Sequence, residues 1–364
     1  MNINKWTVAL AAAGVVSLAS VANAQEAKET VKTLAASTTL SGYVSTSVNW
    51  TPGRTAGVQG YFANTGKSDR VSLDVISLTV ASKAGEGEWA AGYKAQLWAG
   101  PDAAALGTAD SGADVAIKNA YISLRAPLGT GVDLKLGVFD TIIGYESTDR
   151  NVNPFYSHSW GYKIEPTQHT GLLASYRVSD AISLSAGVAN TTDAQINGSA
   201  TNNSRKTYMA AATLTAPDSF GFLKGTSVTA GWVGGRANAG STTVDSIYVG
   251  GTIPLPIKDL SLGVAWDNKT RDNASDTSVV AAYLSYKVSD KLTANARVEY
   301  LDASETVGST VNGSEALGTT IGLDYKLWAN VISRIEYRLD SSMDSEINGR
   351  KHNSAVIANV IYNF

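Results

Sequence analysis

The sequence predicts an all-β chain, a transmembrane antiparallel up-and-down β-barrel of about sixteen strands. Three observations predict it. From residue 40 onward, apolar side chains alternate with small or polar ones in blocks of nine to eleven residues. The connections between blocks alternate between short and long. After the first 24 residues there is no run of eighteen apolar residues of the kind a membrane-crossing helix requires.

The elements follow in chain order. Lys5, an apolar run over 6–21 and the small-x-small triplet Ala22-Asn23-Ala24 predict an export signal over 1–24, cut before Gln25. Residues 25–39, opening on the polar QEAKET, read as a short periplasmic tether, and the barrel occupies 40–364. Cleavage removes one basic residue, Lys5, and takes the formal charge from −3 to −4. No basic field exists to hold nucleic acid, so none is expected as a partner. With no cysteine, the chain can form no disulfide framework or thiolate metal site.

Strands are expected at 40–50, 70–82, 88–98, 115–126, 132–139, 170–178, 182–190, 206–216, 226–234, 244–252, 260–268, 278–287, 292–301, 316–327, 331–340 and 354–364. In one of them Leu317, Thr319, Ile321, Leu323, Tyr325 and Leu327 alternate with Gly318, Thr320, Gly322, Asp324 and Lys326. A strand sends successive side chains to opposite faces, so one face is oily and the other wet. The phase changes inside 70–82, from Val71, Leu73 and Val75 to Ile76, Leu78 and Val80, which predicts a bulge or a strand buried on both faces.

Short connections such as 85–88, 127–131, 179–181, 289–291 and 328–330 alternate with longer polar ones, the pattern of periplasmic turns and external loops. Ten residues at about 3.3 Å each, tilted near 45°, cover roughly 23 Å, close to the apolar band of such barrels. A sheet in hydrocarbon must close on itself to leave no unpaired edge. Closure of about sixteen strands leaves a lumen wider than side chains fill. Trp50, Trp98 and Trp266 near the loops, and Trp89, Trp328 and Phe364 near the turns, are expected to form the interfacial girdles.

The longest connection carries a resemblance. Residues 137–146 (GVFDTIIGYE), 153–157 (NPFYS) and His169-Thr170-Gly171 resemble the β-barrel porins of the OmpL-like kind, outer-membrane proteins of Gram-negative bacteria. The specific part covers about 35 residues; the rest agrees in architecture. The resemblance implies an outer-membrane pore whose terminal aromatic, Phe364, is an assembly signal read by the barrel-assembly machinery. It implies no particular substrate.

Read from its own residues, this third long loop holds Phe139, Tyr145, Phe155, Tyr156, Trp160 and Tyr162, too many aromatics for a solvated loop. It is expected to fold into the barrel and narrow it, its aromatics packed on the inner wall; an external cap is the alternative. Its charges, Asp140, Glu146, Asp149, Arg150, Lys163 and Glu165, are the candidate constriction residues. Inward parity gives the lumen wall Lys94, Arg125, Lys135, Arg177, Arg297, Lys326, Arg334 and Arg338, with Asp133, Glu299, Asp324 and Glu336. An acidic loop facing a basic wall would set a transverse field that sorts solutes, and near-balanced charge argues against strong ion selectivity.

Other chemistry is weak. His158, His169 and His352 fall in expected loops, and the spacing of the first two fits no metal site. Ser157, His158 and Glu165 supply the residue types of a hydrolytic triad without its geometry. Gly85-x-Gly87-x-x-Ala90 imitates a dinucleotide fingerprint but lies in a tight turn with no helix after it. The expectation is therefore a non-enzymatic outer-membrane porin without cofactor or metal, passing small hydrophilic solutes or ions. Its partners are outer-membrane lipid and the assembly machinery, with a homotrimer left open. An adhesin or structural barrel with partner-binding loops is the alternative, and an outer-membrane hydrolase is the third reading.

Overall fold

The computed structural model describes residues 38–52, 67–85, 87, 89–109, 113–200, 205–238, 242–272, 276–303, 315–344 and 350–364. The expected export signal and all but the last two residues of the tether lie outside the described residues. Sixteen strands run in order: β1 (Thr38–Trp50), β2 (Arg70–Ser82), β3 (Ala90–Ala99), β4 (Val115–Ala126), β5 (Val132–Asp140), β6 (Gln168–Arg177), β7 (Ile182–Ala189), β8 (Thr207–Thr215), β9 (Ser227–Arg236), β10 (Thr243–Pro254), β11 (Leu260–Arg271), β12 (Thr277–Lys287), β13 (Leu292–Ala303), β14 (Glu315–Trp328), β15 (Val331–Ser342) and β16 (His352–Asn363). Each pairs with its chain neighbours. β1 closes onto β16 in antiparallel register, from Tyr43 opposite Asn363 to Trp50 opposite Val356, and the ring has no free edge. No described helix is long and apolar enough to cross a membrane.

Burial is inverted relative to a water-soluble fold. On β15 the apolar Ile335 and Tyr337 are 52% and 41% exposed, while Glu336 between them and Arg338 and Asp340 beyond them are enclosed. The same alternation runs around the ring: Val298, Ile321, Leu323 and Val360 face out, and Arg297, Glu299, Thr320 and Asn359 face in. Only a hydrocarbon exterior makes such a surface favourable, because several hundred Å² of contiguous apolar area is otherwise exceptional.

Two strands change phase. In β2 the consecutive Asp74 and Val75 are both enclosed, and the outward set moves from Val71 and Leu73 to Ile76 and Leu78, as the sequence pattern predicts. In β4 the pairing with β3 slips between Gln96–Asn119 and Leu97–Ile117, so Lys118 is an extra residue. Lys118 and Asn119 both turn inward, placing two polar groups where regular alternation allows one. The turn between β14 and β15 needs only Ala329 and Asn330, and Asn330 takes a left-handed φ of 64°, which a short polar side chain tolerates.

One girdle residue is corrected. Trp98 is 2% exposed and shares the inward face of β3 with Gln96. Its parity with Gln96 outweighs its position near the strand end. Trp50, Trp89, Trp266, Trp328 and Phe364 remain on the exposed side. His169 and His352 also differ from expectation, since they lie within the first two residues of β6 and β16 rather than in loops.

An Ile335→Arg variant places a charge on the hydrocarbon face and is expected to cost roughly 2 kcal/mol or more in reversible folding into lipid. Urea titration of the lipid-embedded barrel checks this.

Candidate functional site

The connection from β5 to β6, residues 141–167 (loop 3), contains a short 3-10 turn at Arg150–Val152 and one α-helix, α1 (Trp160–Ile164). Ser159 starts α1: its Oγ accepts from Tyr162 N at 3.1 Å. The loop is tied by buried polar contacts to two separate parts of the inward-facing wall.

The first tie is to β12–β15. Glu146 is its hub, accepting from Arg297 Nη1 at 2.8 Å, Tyr283 OH at 3.0 Å and Ser159 N at 3.0 Å, with His158 Nδ1 at 3.0 Å. Arg297 also donates to Ser157 O and Oγ at 2.9 and 3.1 Å. Two wall carboxylates receive the loop's own amides: Glu336 from Tyr156 N and Ser157 N at 2.7 and 3.1 Å, and Glu299 from Trp160 N at 2.6 Å. Arg338 donates to His158 O at 2.9 Å and pairs with Glu299 and Asp340, both at 2.9 Å. Arg334 reaches Arg150 O at 2.7 Å and Asp324 at 3.1 Å. Guanidinium groups also lie over loop aromatics, Arg297 over Phe155 at 4.9 Å and Arg338 over Trp160 at 5.4 Å.

The second tie is to β1–β4 and the connection 100–114 (loop 2). Arg150 pairs with Asp102 at 2.6 Å, and Asp102 pairs with Lys67 at 2.5 Å. Lys67 also bonds Asp74, which accepts from Ser45 Oγ at 2.9 Å, Ser47 Oγ at 2.8 Å and Tyr156 OH at 2.8 Å. Lys118, the bulge residue, bridges Asp140 at 2.8 Å and Asp149 at 3.1 Å. Apolar packing completes the hold: Phe155 and Ile143 join Leu173, Met209, Val233 and Tyr283, and Tyr145 stacks on Tyr283 with centroids 4.2 Å apart.

The expected site residues thus divide. Glu146, Asp149, Arg150, Arg297, Glu299, Arg334, Glu336 and Arg338 converge on loop 3, where their partners are one another, the loop backbone and neighbouring residues such as Lys118 for Asp149, Asp102 for Arg150 and Asp340 for Arg338. Arg297, Glu299 and Arg338 are inward on their strands yet fully enclosed, so their charges brace the loop rather than stand open across a gap. Lys94 and Lys135 are half-buried on the wall, and Lys135 lies 5.1 Å from the Tyr121 ring centre. Arg125 pairs with Asp133 at 3.0 Å, Arg177 pairs with Asp180 beside a turn, and Lys326 is exposed near the end of β14. Phe364 N and O both bond Gly42, at 3.0 and 2.9 Å, where the ring closes.

Sequence reasoning missed Lys67, Asp74, Asp102 and Lys118. For Asp74 a signal existed: it is the only charge between Val71 and Ser82, and it sits where the alternation breaks. Lys118 carries a weaker version of that signal. The hydrolytic residue types do not assemble, because Ser157 Oγ accepts from Arg297 and the His158 ring turns to Glu146, while Glu165 lies beside Asp267. Among the described residues no cluster of His, Asp and Glu has the arrangement of a metal site.

Titration of the loop is set by burial and its partners. Burial raises the Glu146 carboxyl, but Arg297 and His158 outweigh it and hold it at about 2. Burial pushes the His158 ring down to about 4, against the pull of Glu146. Burial, with Asp267 adjoining, raises Glu165 well above the usual carboxylate range. Gly144, at φ +110°, makes room for it: a Cβ there would stand 2.2 Å from Glu165 Oε2. Burial, helped by Arg150, lowers Lys163 to about 8.

The neutral His158 ring leaves the folded loop binding fewer protons than an unfolded chain between pH 4 and 6.5, so its contribution is intact above 6.5 and declines as pH falls to about 4. Glu146 acts in the same sense between 4.5 and about 2, and Glu165 opposes both as pH rises above 4.5. The protection of loop 3 amides, taken relative to their intrinsic exchange rates, is expected to fall as pH drops from 6.5 to 4, and His158→Gln is expected to flatten that response. Arg297→Met, which strands the buried Glu146 carboxylate without its guanidinium and leaves Glu299 with Arg338 alone, is expected to cost about 3–5 kcal/mol in unfolding experiments.

Residues 37–364 match a family model described as "Putative beta-barrel porin-2, OmpL-like". Solved structures share the fold. The anion-selective porin from Comamonas acidovorans superposes with a TM-score of 0.62 at 14% identity, covering 90% of this chain and 99% of that one. OmpT of Vibrio cholerae gives 0.58 at 14% identity over 90% and 97%, and a variant of the Rh. blastica porin gives 0.52 at 17% over 90% and 100%. Identities this low carry likeness of fold alone. No curated protein matches the chain.

Proposed function

Because the chain belongs to the OmpL-like β-barrel porin-2 family, we propose that it is an outer-membrane channel through which small hydrophilic solutes or ions diffuse passively. The observation that carries this reading is the inverted burial of a closed sixteen-strand ring, apolar outside and charged within. A ring of that size encloses more space than its own inward side chains fill. The passage needs no chemical step and no cofactor, and the commitment of Ser157 Oγ to Arg297 and of the His158 ring to Glu146 favours a channel over a hydrolase.

In this reading loop 3 folds into the lumen and is the constriction. Its buried ties to β12–β15 on one side and β1–β4 on the other support that role, since a loop held at both sides of a ring narrows it. Asp140, Glu146, Asp149, Arg150, Lys163 and Glu165 then set its position and local field, while Lys94 and Lys135 stand along the wall that solutes pass. Most of these charges act on solutes indirectly, by fixing the loop. For assembly, a homotrimer is the quaternary state we propose, in keeping with the solved trimer form of OmpT.

Liposomes carrying the purified protein are expected to swell in isotonic sugar, and an absence of flux would sink the channel reading in favour of a structural barrel. Deleting 146–162 is expected to raise single-channel conductance at least about twofold; unchanged conductance would show that the loop lies outside the path. Cross-linking in detergent checks for three copies.

A further inference from the structure

A cavity of about 140 Å³ lies among β3, loop 2 and loop 3, lined by Trp98, Asp102, Arg150, His158, Lys163 and Glu165 among others. At about 30 Å³ per water it admits a small ion of a few water volumes. The chemistry of its lining is one-sided. Trp98 is 2% exposed, and its Nε1–H has no hydrogen-bond partner among the described residues. Arg150 is 1% exposed; its Nε is taken by Asp102 and its Nη1 by Tyr156 O at 2.7 Å, but its Nη2 has no partner there. Lys163 makes no ion pair with any described carboxylate.

The acceptors are already spent. Both oxygens of Asp102 are engaged, Oδ1 by Lys67 and Oδ2 by Arg150. Lys67 and Arg150 are matched in number by Asp74 and Asp102, which leaves the Lys163 ammonium in surplus. Glu165 lies beside Asp267, and burial with that neighbour raises its carboxyl, which disfavours its charged form. The His158 ring has its Nδ1 turned to Glu146. Buried donors without partners are costly, and two that line one cavity beside a half-buried ammonium have a common remedy, an acceptor-only anion.

We infer that this cavity is a binding site for a small tetrahedral oxyanion of the phosphate or sulfate kind, held by Trp98 Nε1–H, the unpaired arm of the Arg150 guanidinium and the Lys163 ammonium. Such an ion has oxygens enough for all three donors and no hydrogen to set against them when fully ionised. The site stands on the cavity lining; only its access from solution rests on the channel reading. Glu165 and Thr167 also line a second cavity of about 430 Å³.

The test titrates the intact purified barrel in detergent with inorganic phosphate, then sulfate, with chloride as reference, followed by calorimetry and tryptophan fluorescence. Saturable binding of phosphate and sulfate, preferred at least about tenfold over chloride, is expected. Lys163→Gln is expected to weaken it about tenfold or more by removing a charge-assisted bond, Lys163→Arg to stay within about threefold of the native chain, and Trp98→Phe to weaken it severalfold. Absence of saturable binding, binding equal to that of chloride, or native affinity in Lys163→Gln would each overturn the inference. Heat-modifiable mobility on gels confirms that each variant has formed its barrel. The two readings fail separately: binding without conductance would sink the channel and leave the site, and conductance without phosphate binding would do the reverse.

Discussion

Everything in this molecule follows from the need to leave no backbone donor or acceptor unpaired in hydrocarbon. A strand edge facing lipid would forfeit several kcal/mol at each open group, so the sheet closes from β1 to β16. Closure dictates two surfaces of opposite character. The outward parity must be apolar and the inward parity is free to be charged, which is why Arg338 and Asp340 are enclosed while Ile335 and Tyr337 are bare. It also creates an interior that the strands' own side chains do not fill, and a chain segment has to be brought in if that interior is to be shaped.

In the proposed reading loop 3 is that segment, and the manner of its attachment to the wall is electrostatic. Ion pairs on a wet surface contribute little, because water screens them and the side chains lose freedom. Here the pairs are withdrawn from water, and the cost of desolvating each charge is met by several hydrogen bonds at once, as at Glu146 and Arg297. The arrangement is worth more as specification than as stability. A buried guanidinium with a fixed set of acceptors accepts one placement of the loop, and a displaced loop leaves charges stranded on both sides.

How much of this the sequence discloses depends on range. The strands are legible because their cause is local: period-two alternation states which face each side chain takes, and all sixteen expected segments lie within a few residues of the observed strands. The change of phase at Asp74 is legible for the same reason, as a break in the rhythm. Trp98 was misplaced by weighing its nearness to the strand end above its parity with Gln96. The partners of loop 3 are illegible in principle, because Glu146 and Arg297 are 151 positions apart and nothing in either neighbourhood names the other. Parity could say that Arg297 points inward. It could not say that a loop would arrive to cover it.

The carboxylates of Glu336 and Glu299 grip loop 3 by the main-chain N–H groups of Tyr156, Ser157 and Trp160. An amide donor is the same on every residue except proline. That part of the grip is indifferent to which side chains those three positions carry, although Tyr156 OH, Ser157 Oγ and the Trp160 ring make contacts of their own with Asp74, Arg297 and Arg338. In the proposed reading, such a barrel fastens its inner segment partly by main chain, which leaves the other side chains of that segment free to differ in what they offer to a passing solute.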